Sequence, residues 1–183
     1  MTQEIVTPMI TGKEIDTRIT ILAREIETAL PDGETLTVVC TLRGAVVFFV
    51  DLVKKFSIPV KMDFIEASSY GDRTTTSGTV KINKDLTNSI TGEHVLLVED
   101  IVDTGTTLNQ LISHLERQKP ASLKVCALLD KPSRRTVPNL KPDYIGFEIE
   151  DKFVIGYGLD YAQRYRNLPY IATMQLIKDE PCN

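Results

Sequence analysis

Behind Thr11, apolar residues recur at Ile15, Ile19, Leu22, Ile26 and Leu30, the spacing that lays one face of an α-helix against a core. Thr11-Gly12-Lys13-Glu14 in front of that stripe has the form of a capping box, and Pro31-Asp32-Gly33 ends the helix. The pattern then changes. Leu36 to Leu42 is an unbroken apolar run short enough for a buried strand, and Arg43-Gly44 turns it into a helical run from Ala45 to Phe56, closed before Pro59. Val60 to Ala67 alternates as a further strand, with Met62, Phe64 and Ile65 expected partly inward. His94 to Val98 and Leu123 to Leu129 are two more strands, separated by a helix with Leu108, Leu111, Ile112 and Leu115 on one face.

Strands alternating with helix-sized segments predict an α/β fold, a twisted and mainly parallel sheet flanked by helices on both faces. Ligands of such sheets bind beyond the carboxyl ends of the strands. Three loops fall there: Leu42-Arg43-Gly44, Glu99 to Thr107, and Asp130-Lys131. Residues 68–78 are different, a polar Ser/Thr/Gly-rich stretch without apolar periodicity. A floppy surface hairpin would explain it; a flexible lid over a bound substrate is the functional expectation.

Composition narrows the setting. The chain has 183 residues, 42% of them hydrophobic and 25% charged, which suits one globular domain with its own core. There is no apolar run long enough for a membrane helix, and Met1 is followed by Thr-Gln-Glu-Ile rather than a basic and then apolar leader. Cys40 and Cys126 lie in strand-like runs and Cys182 near the end, without metal spacing; small core residues in a reducing cytoplasm are the expectation. A net charge of −4 argues against general nucleic-acid binding.

The chemistry concentrates in Val98-Glu99-Asp100-Ile101-Val102-Asp103-Thr104-Gly105-Thr106-Thr107. Thr-Gly-Thr-Thr at a helix start offers backbone N–H groups and hydroxyls where partial positive charge collects, a cradle for phosphate. The adjacent acid pair cannot grip that same phosphate. Two carboxylates accept hydrogen bonds and suit a vicinal sugar diol, directly or through a divalent metal. Phosphate, diol and a further carboxylate, Asp103, together describe a ribose 5-phosphate. Ordinary capping by Asp103 or Thr104 would explain one of these residues but not three carboxylates and three threonines around one glycine.

Two more segments carry polar chemistry. Lys131, held between a strand and Pro132, offers a cationic donor to a carbonyl oxygen, although strand-end lysines often just face water. Asp151 to Asp160 mixes Phe153, Gly156, Gly158 and acids in a way no simple strand requires; by composition alone Phe153 would be core.

The central motif resembles the phosphoribosyl-diphosphate-binding motif of type I phosphoribosyltransferases. Together with Leu42-Arg43-Gly44, Ser69-Tyr70, Lys131-Pro132-Ser133-Arg134 and Phe147 through Tyr161, in that order, it resembles the hypoxanthine-guanine branch. The resemblance spans roughly Leu42 to Arg166. It implies one domain over residues 1–183, with a core at about 36–150 and a hood from the N-terminal segment and about 151–183. It implies Mg²⁺, phosphoribosyl diphosphate and 6-oxopurine bases as cofactor and substrates, no nucleic-acid or membrane partner, and a homodimer or homotetramer.

Position by position, Glu99 and Asp100 would hold the ribose hydroxyls with Mg²⁺ nearby, and Asp160 would help bind a second Mg²⁺ beside the purine. Asp103 would sit beside purine N7 as the catalytic proton acceptor or donor, and Asp103, Thr104, Gly105, Thr106 and Thr107 would enclose the 5-phosphate. Leu42, Arg43, Gly44 and Arg166 would meet the pyrophosphate, the first three through a strained peptide. Lys131 would contact the 6-oxo group, Phe153 would stack on the ring and the Val154 backbone would face the 2-position. Ser69 and Tyr70 would belong to the lid. Arg43 stands where relatives often carry Lys, and Thr106 fills a variable slot; neither change removes a charge or a donor. A nucleotide-sensing RNA regulator on this fold, or a transferase for orotate, adenine or uracil, are the competing readings. The acidic balance disfavours the first, and Lys131 with Phe153-Val154 the second.

Overall fold

The computed structural model describes residues 2–69 and 80–178. Its elements run β1 (Thr2–Ile10), α1 (Gly12–Ala29), β2 (Leu36–Leu42), α2 (Val46–Val53), β3 (Val60–Ser69), β4 (Val80–Lys84), β5 (His94–Val102), α3 (Thr106–Glu116), β6 (Ser122–Asp130), a one-turn 3₁₀ helix (Pro132–Arg134), β7 (Tyr144–Glu148), β8 (Val154–Ile155) and β9 (Ile171–Lys178). Of the 68–78 segment only Ser68 and Ser69 are described, as the end of β3; Tyr70 and the remainder of the expected lid lie outside the described residues.

Six strands form the main sheet in the order β4-β3-β2-β5-β6-β7. All neighbours are parallel except β4, which pairs antiparallel with β3 at one edge. The chain leaves β2 toward β3 and then returns to place β5 on the other side of β2. The strand order therefore reverses between β2 and β5, the point at which open α/β sheets bind their ligands. Parity along β5 explains its unbroken apolar run. Leu96 and Val98 face a core with α1 and α2, while Val95 and Leu97 face one with α3.

The first helix forms as its pattern dictates. Thr11 and Glu14 close the capping box, and Ile15, Ile19, Leu22 and Ile26 are buried, with Leu30 just past the helix end. A cap contributes about 1 kcal/mol, whereas each buried Leu or Ile contributes about 1.5–3 kcal/mol, so packing holds α1 and the cap sets where it starts.

Some boundaries differ from the sequence expectation. The helix after Gly44 is eight residues long, and β3 and β5 run past Ala67 and Val98, because pairing with β4 and β6 continues there. Met62, expected inward, is 56% exposed. Phe49 covers Phe64, leaving Met62 on that face in solvent. The buried residue beside it is Asp63, whose carboxylate accepts from the backbone N–H groups of Phe64, Thr87 and Asn88. Cys40 and Cys126 are buried free thiols, with burial pushing Cys40 up to about 12.

The strands β1, β9 and β8 form a second, antiparallel sheet that draws on both ends of the chain. Among the described residues no helix is long and apolar enough to cross a membrane.

Candidate active site

The N-cap of helix α3 is Gly105, with φ +85° and no side chain of its own to cap the helix, and no acidic residue stands in the first turn. Of the two residues expected to cap it, Thr104 contributes from one position further back, its hydroxyl accepting from the Thr106 N–H at 3.4 Å. A side chain at Gly105 would be strained by that φ and would meet Leu140 at 2.4 Å. The Thr104 hydroxyl donates to Thr106 Oγ1 at 3.3 Å and Thr107 lies in the first helical turn. The result is a depression of about 160 Å³ lined by Glu99, Asp103, Thr104, Gly105 and Thr107, at the start of α3, where the first N–H groups of a helix have no carbonyl partner within it. Packed against Gly105, the half-buried Arg135 forms an ion pair with the buried Asp130, and its Nη1 has no hydrogen-bond partner among the described residues. A helix start with a guanidinium beside it suits an anion. Arg135 was visible in the sequence only as one of two arginines after a strand; its inward direction depends on the turn that follows.

The acid pair lies within β5 rather than beyond it. Glu99 is buried beside the buried Thr41 hydroxyl at the end of neighbouring β2, which favours its charged form, yet neither Glu99 Oε2 nor Thr41 Oγ1 makes a hydrogen bond of good geometry among the described residues. Burial, then the neighbouring Asp100 charge, pushes Glu99 up to about 8. Burial likewise raises Asp100 to about 6, opposed by the Ile101 backbone N–H and by Arg166, and helped by Asp160. Two crowded carboxylates with an orphaned oxygen fit a ligand that brings hydroxyl donors or a cation. Glu99, Asp100 and Asp160 do not form a three-ligand cage among the described residues. Mg²⁺ characteristically binds through one or two carboxylates and completes its shell with substrate oxygens and water, which suits a pair of this kind.

These raised values carry a stability prediction. Glu99 ionises near 4.5 in the unfolded chain and near 8 in the fold. Across that interval the folded state binds more protons, so stability falls as pH rises from about 4.5 to about 8. Glu99→Gln removes the titration. Its thermal midpoint should gain on that of the unliganded parent as pH rises from about 5 to about 8; a constant gap would show that Glu99 ionises without penalty.

Opposite the acid pair, the Leu42–Arg43 peptide is cis. A Cβ on Gly44 would fall 1.6 Å from Asp100 Oδ2, so only glycine lets the β2 loop lie against that carboxylate. The Arg43 side chain is 68% exposed and only 3.6 Å from Glu66 Oε1, leaving it able to turn to an anion. Arg166 donates to the Gly158 carbonyl at 2.7 Å and pairs with Asp160 at 2.7 Å. The other Asp160 oxygen accepts from the Gln163 N–H, so both oxygens of this expected metal ligand are already engaged within the protein.

The loops after β6 and β7 form the remaining wall. Lys131 is 6% exposed, and its Nζ lies 3.5 Å from Asp151 Oδ1. Phe153 is 51% exposed and meets Tyr161 edge-on at 5.8 Å; it is a surface platform, not the core residue composition suggests. Val154 is buried in β8. Arg134, to which sequence reasoning gave no role, lies 3.0 Å from Asp103 Oδ1 and 3.6 Å from Asp151 Oδ2. The described candidate residues thus line the ends of β2, β5, β6 and β7 and the edge of the second sheet. The Ser69 side chain and Tyr70 are not among those described.

A family model, that of the phosphoribosyl transferase domain, matches residues 11–162. The hypoxanthine phosphoribosyltransferase of Escherichia coli strain K12 is 47% identical over 172 residues, which cover 93% of this chain and 96% of that protein. The hypoxanthine-guanine phosphoribosyltransferase of Bacillus subtilis strain 168 is 43% identical over 175 residues, 96% of each chain. Among solved structures, a hypoxanthine-guanine phosphoribosyltransferase from Bacillus anthracis superposes with a TM-score of 0.86 at 46% identity, covering 91% of this chain and 96% of that one.

Proposed function

The chain belongs to the phosphoribosyltransferase family, and from that membership we propose that it serves purine salvage. It transfers the 5-phosphoribosyl group of phosphoribosyl diphosphate to N9 of hypoxanthine or guanine, releasing pyrophosphate. The observation that carries this reading is a buried lysine tied through Asp151 and Arg134 to Asp103, beside a helix start whose N-cap is a glycine. One arrangement offers a donor for a 6-oxo group, a proton acceptor and a phosphate cradle.

In this reading Thr104 to Thr107 hold the 5-phosphate with backbone and hydroxyl donors, and Glu99 and Asp100 accept from the ribose hydroxyls. Arg43, with the Leu42 and Gly44 backbone, and Arg166 hold the pyrophosphate. Phe153 stacks on the purine, Lys131 donates to its 6-oxygen and the Val154 backbone faces its 2-position. As the bond from C1 of the ribose to pyrophosphate breaks, positive charge develops on the sugar close to Glu99 and Asp100, which stabilise it. Asp103 takes the N7 proton as N9 supplies the electron pair to C1. Mg²⁺, held by the acid pair and assisted at Asp160, would neutralise charge on the leaving pyrophosphate. The proposal includes assembly as a homodimer or homotetramer, which light scattering on the purified protein measures.

The direct test supplies phosphoribosyl diphosphate, Mg²⁺ and hypoxanthine or guanine and measures nucleotide and pyrophosphate. Equal amounts of inosine or guanosine monophosphate and pyrophosphate are expected, with none once the metal is chelated. Failure of both bases to react would overturn the reading.

A further inference from the structure

We propose that Arg134 is a positioning residue for this transfer, bridging Asp103 and Asp151 so that the proton acceptor stays aimed at the purine edge that Lys131 grips. The inference rests on the purine-transfer reading above. Lys131, Asp151, Arg134 and Asp103 form a line of alternating charge, with separations of 3.5 Å, 3.6 Å and 3.0 Å. Its two ends are the groups assigned to the purine 6-oxygen and to N7, neighbouring positions on one edge of the ring. Both must keep one mutual geometry, and the two residues between them set it.

The backbone fixes the bridge at both sides of Asp103. The Lys131 N–H donates to the Val102 carbonyl at 3.0 Å, and the Thr136 N–H donates to the Thr104 carbonyl at 3.0 Å. Between these bonds Pro132 starts the one-turn helix that ends at Arg134, whose N–H returns to the Lys131 carbonyl. Stability does not account for the arrangement. Side-chain exposures of 47% for Arg134, 41% for Asp103 and 52% for Asp151 put these pairs in the class worth about 0–1 kcal/mol.

The chemistry does account for it. Arg134 Nε donates to Asp103 Oδ1, whereas Oδ2 has no hydrogen-bond partner among the described residues. Pinning one oxygen stops the carboxylate from turning and leaves the other to receive the proton. A lone guanidinium in that position would oppose protonation of Asp103, because the transfer would strip it of its counter-charge. Asp151, on the other side of Arg134, keeps the cation paired after Asp103 becomes neutral. The bridge can therefore orient the base without blocking it.

The test is a double-mutant cycle on the full-length protein with hypoxanthine. Arg134→Met, which keeps the apolar stem, should lower kcat roughly 10- to 100-fold, the scale on which misplaced catalytic groups cost rate. KM for phosphoribosyl diphosphate should stay within about twofold, because the phosphate cradle is untouched. In an Asp103→Asn background the same substitution should cost less than about twofold, because its route of action is gone. Arg134→Lys should restore part of kcat, since it keeps charge but not the forked geometry. Should Arg134→Met fail to fold by circular dichroism, Arg134→Gln replaces it in the cycle. An unchanged kcat, or an equal loss in the Asp103→Asn background, would overturn the proposal. Absence of transfer by the unmodified protein would instead sink the functional reading on which it rests.

Discussion

Adenine is expected to be used about 10⁴- to 10⁵-fold less efficiently than hypoxanthine in kcat/KM, the scale on which a site built to bond one group rejects the analogue lacking it. In the proposed site the discrimination comes from Lys131. Its ammonium can only donate, and the residue is 6% exposed, so water cannot mediate a compromise. Hypoxanthine presents a carbonyl oxygen to it. Adenine presents an amino group, placing donor against donor and costing the buried ammonium the acceptor that hypoxanthine supplies beyond Asp151. Lys131 cannot simply swing aside, because Asp151 holds its end and the N–H bond to Val102 holds its backbone. Initial rates with both bases at saturating phosphoribosyl diphosphate measure the ratio. Comparable turnover would show that Lys131 does not contact position 6, and the acceptor assignment would fall. Lys131→Met should also remove most of the preference for the oxo base while leaving the phosphate cradle intact.

The central β-α unit was legible in the sequence because its signals are local. Helix α1 has its cap and its stripe within one short stretch, and β5 is a contiguous apolar run followed at once by the acids and threonines of the cradle. A parallel sheet then gathers the loops after β2, β5 and β6 at one edge without further instruction. The second sheet was not legible as strands. Its pairing joins β1 to β9 across almost the whole chain, and no periodicity within either segment reports a partner so far away. The same limit applies to side-chain direction at the site. Arg134 and Arg135 are adjacent, yet one faces Asp103 and the other turns inward to Asp130 beside Gly105. Phe153 read as core by composition because aromatic residues are mostly buried; its exposure follows from its place in the loop just before β8, where its ring meets Tyr161 edge-on instead of entering a core. Whether Glu99 is buried or solvated likewise depends on β5 continuing to Val102, which pairing with β6 decides.

Replacing Asp103 by Asn should reduce kcat by about 10²- to 10⁴-fold, the range that a single positioned proton acceptor supplies. The amide fills the same space, and its oxygen can still accept from Arg134 Nε, now at 3.0 Å from the carboxylate. What it loses is the capacity to take a proton as N9 attacks. The defect should therefore fall on turnover, with little change in KM for phosphoribosyl diphosphate, whose phosphate the proposed reading assigns to the α3 N-terminus rather than to this carboxylate. The acid pair should behave oppositely. Glu99→Gln and Asp100→Asn alter groups assigned to the ribose and the metal, so their defects should show in the concentrations of phosphoribosyl diphosphate and Mg²⁺ required. Steady-state kinetics varying each substrate separates the two patterns. If Asp103→Asn kept its kcat and raised only KM, Asp103 would be a binding residue, and the N7 proton would have to leave through water. The open Oδ2 argues against that outcome: a carboxylate retained only for binding gains nothing from having one oxygen pinned and the other left without a partner among the described residues.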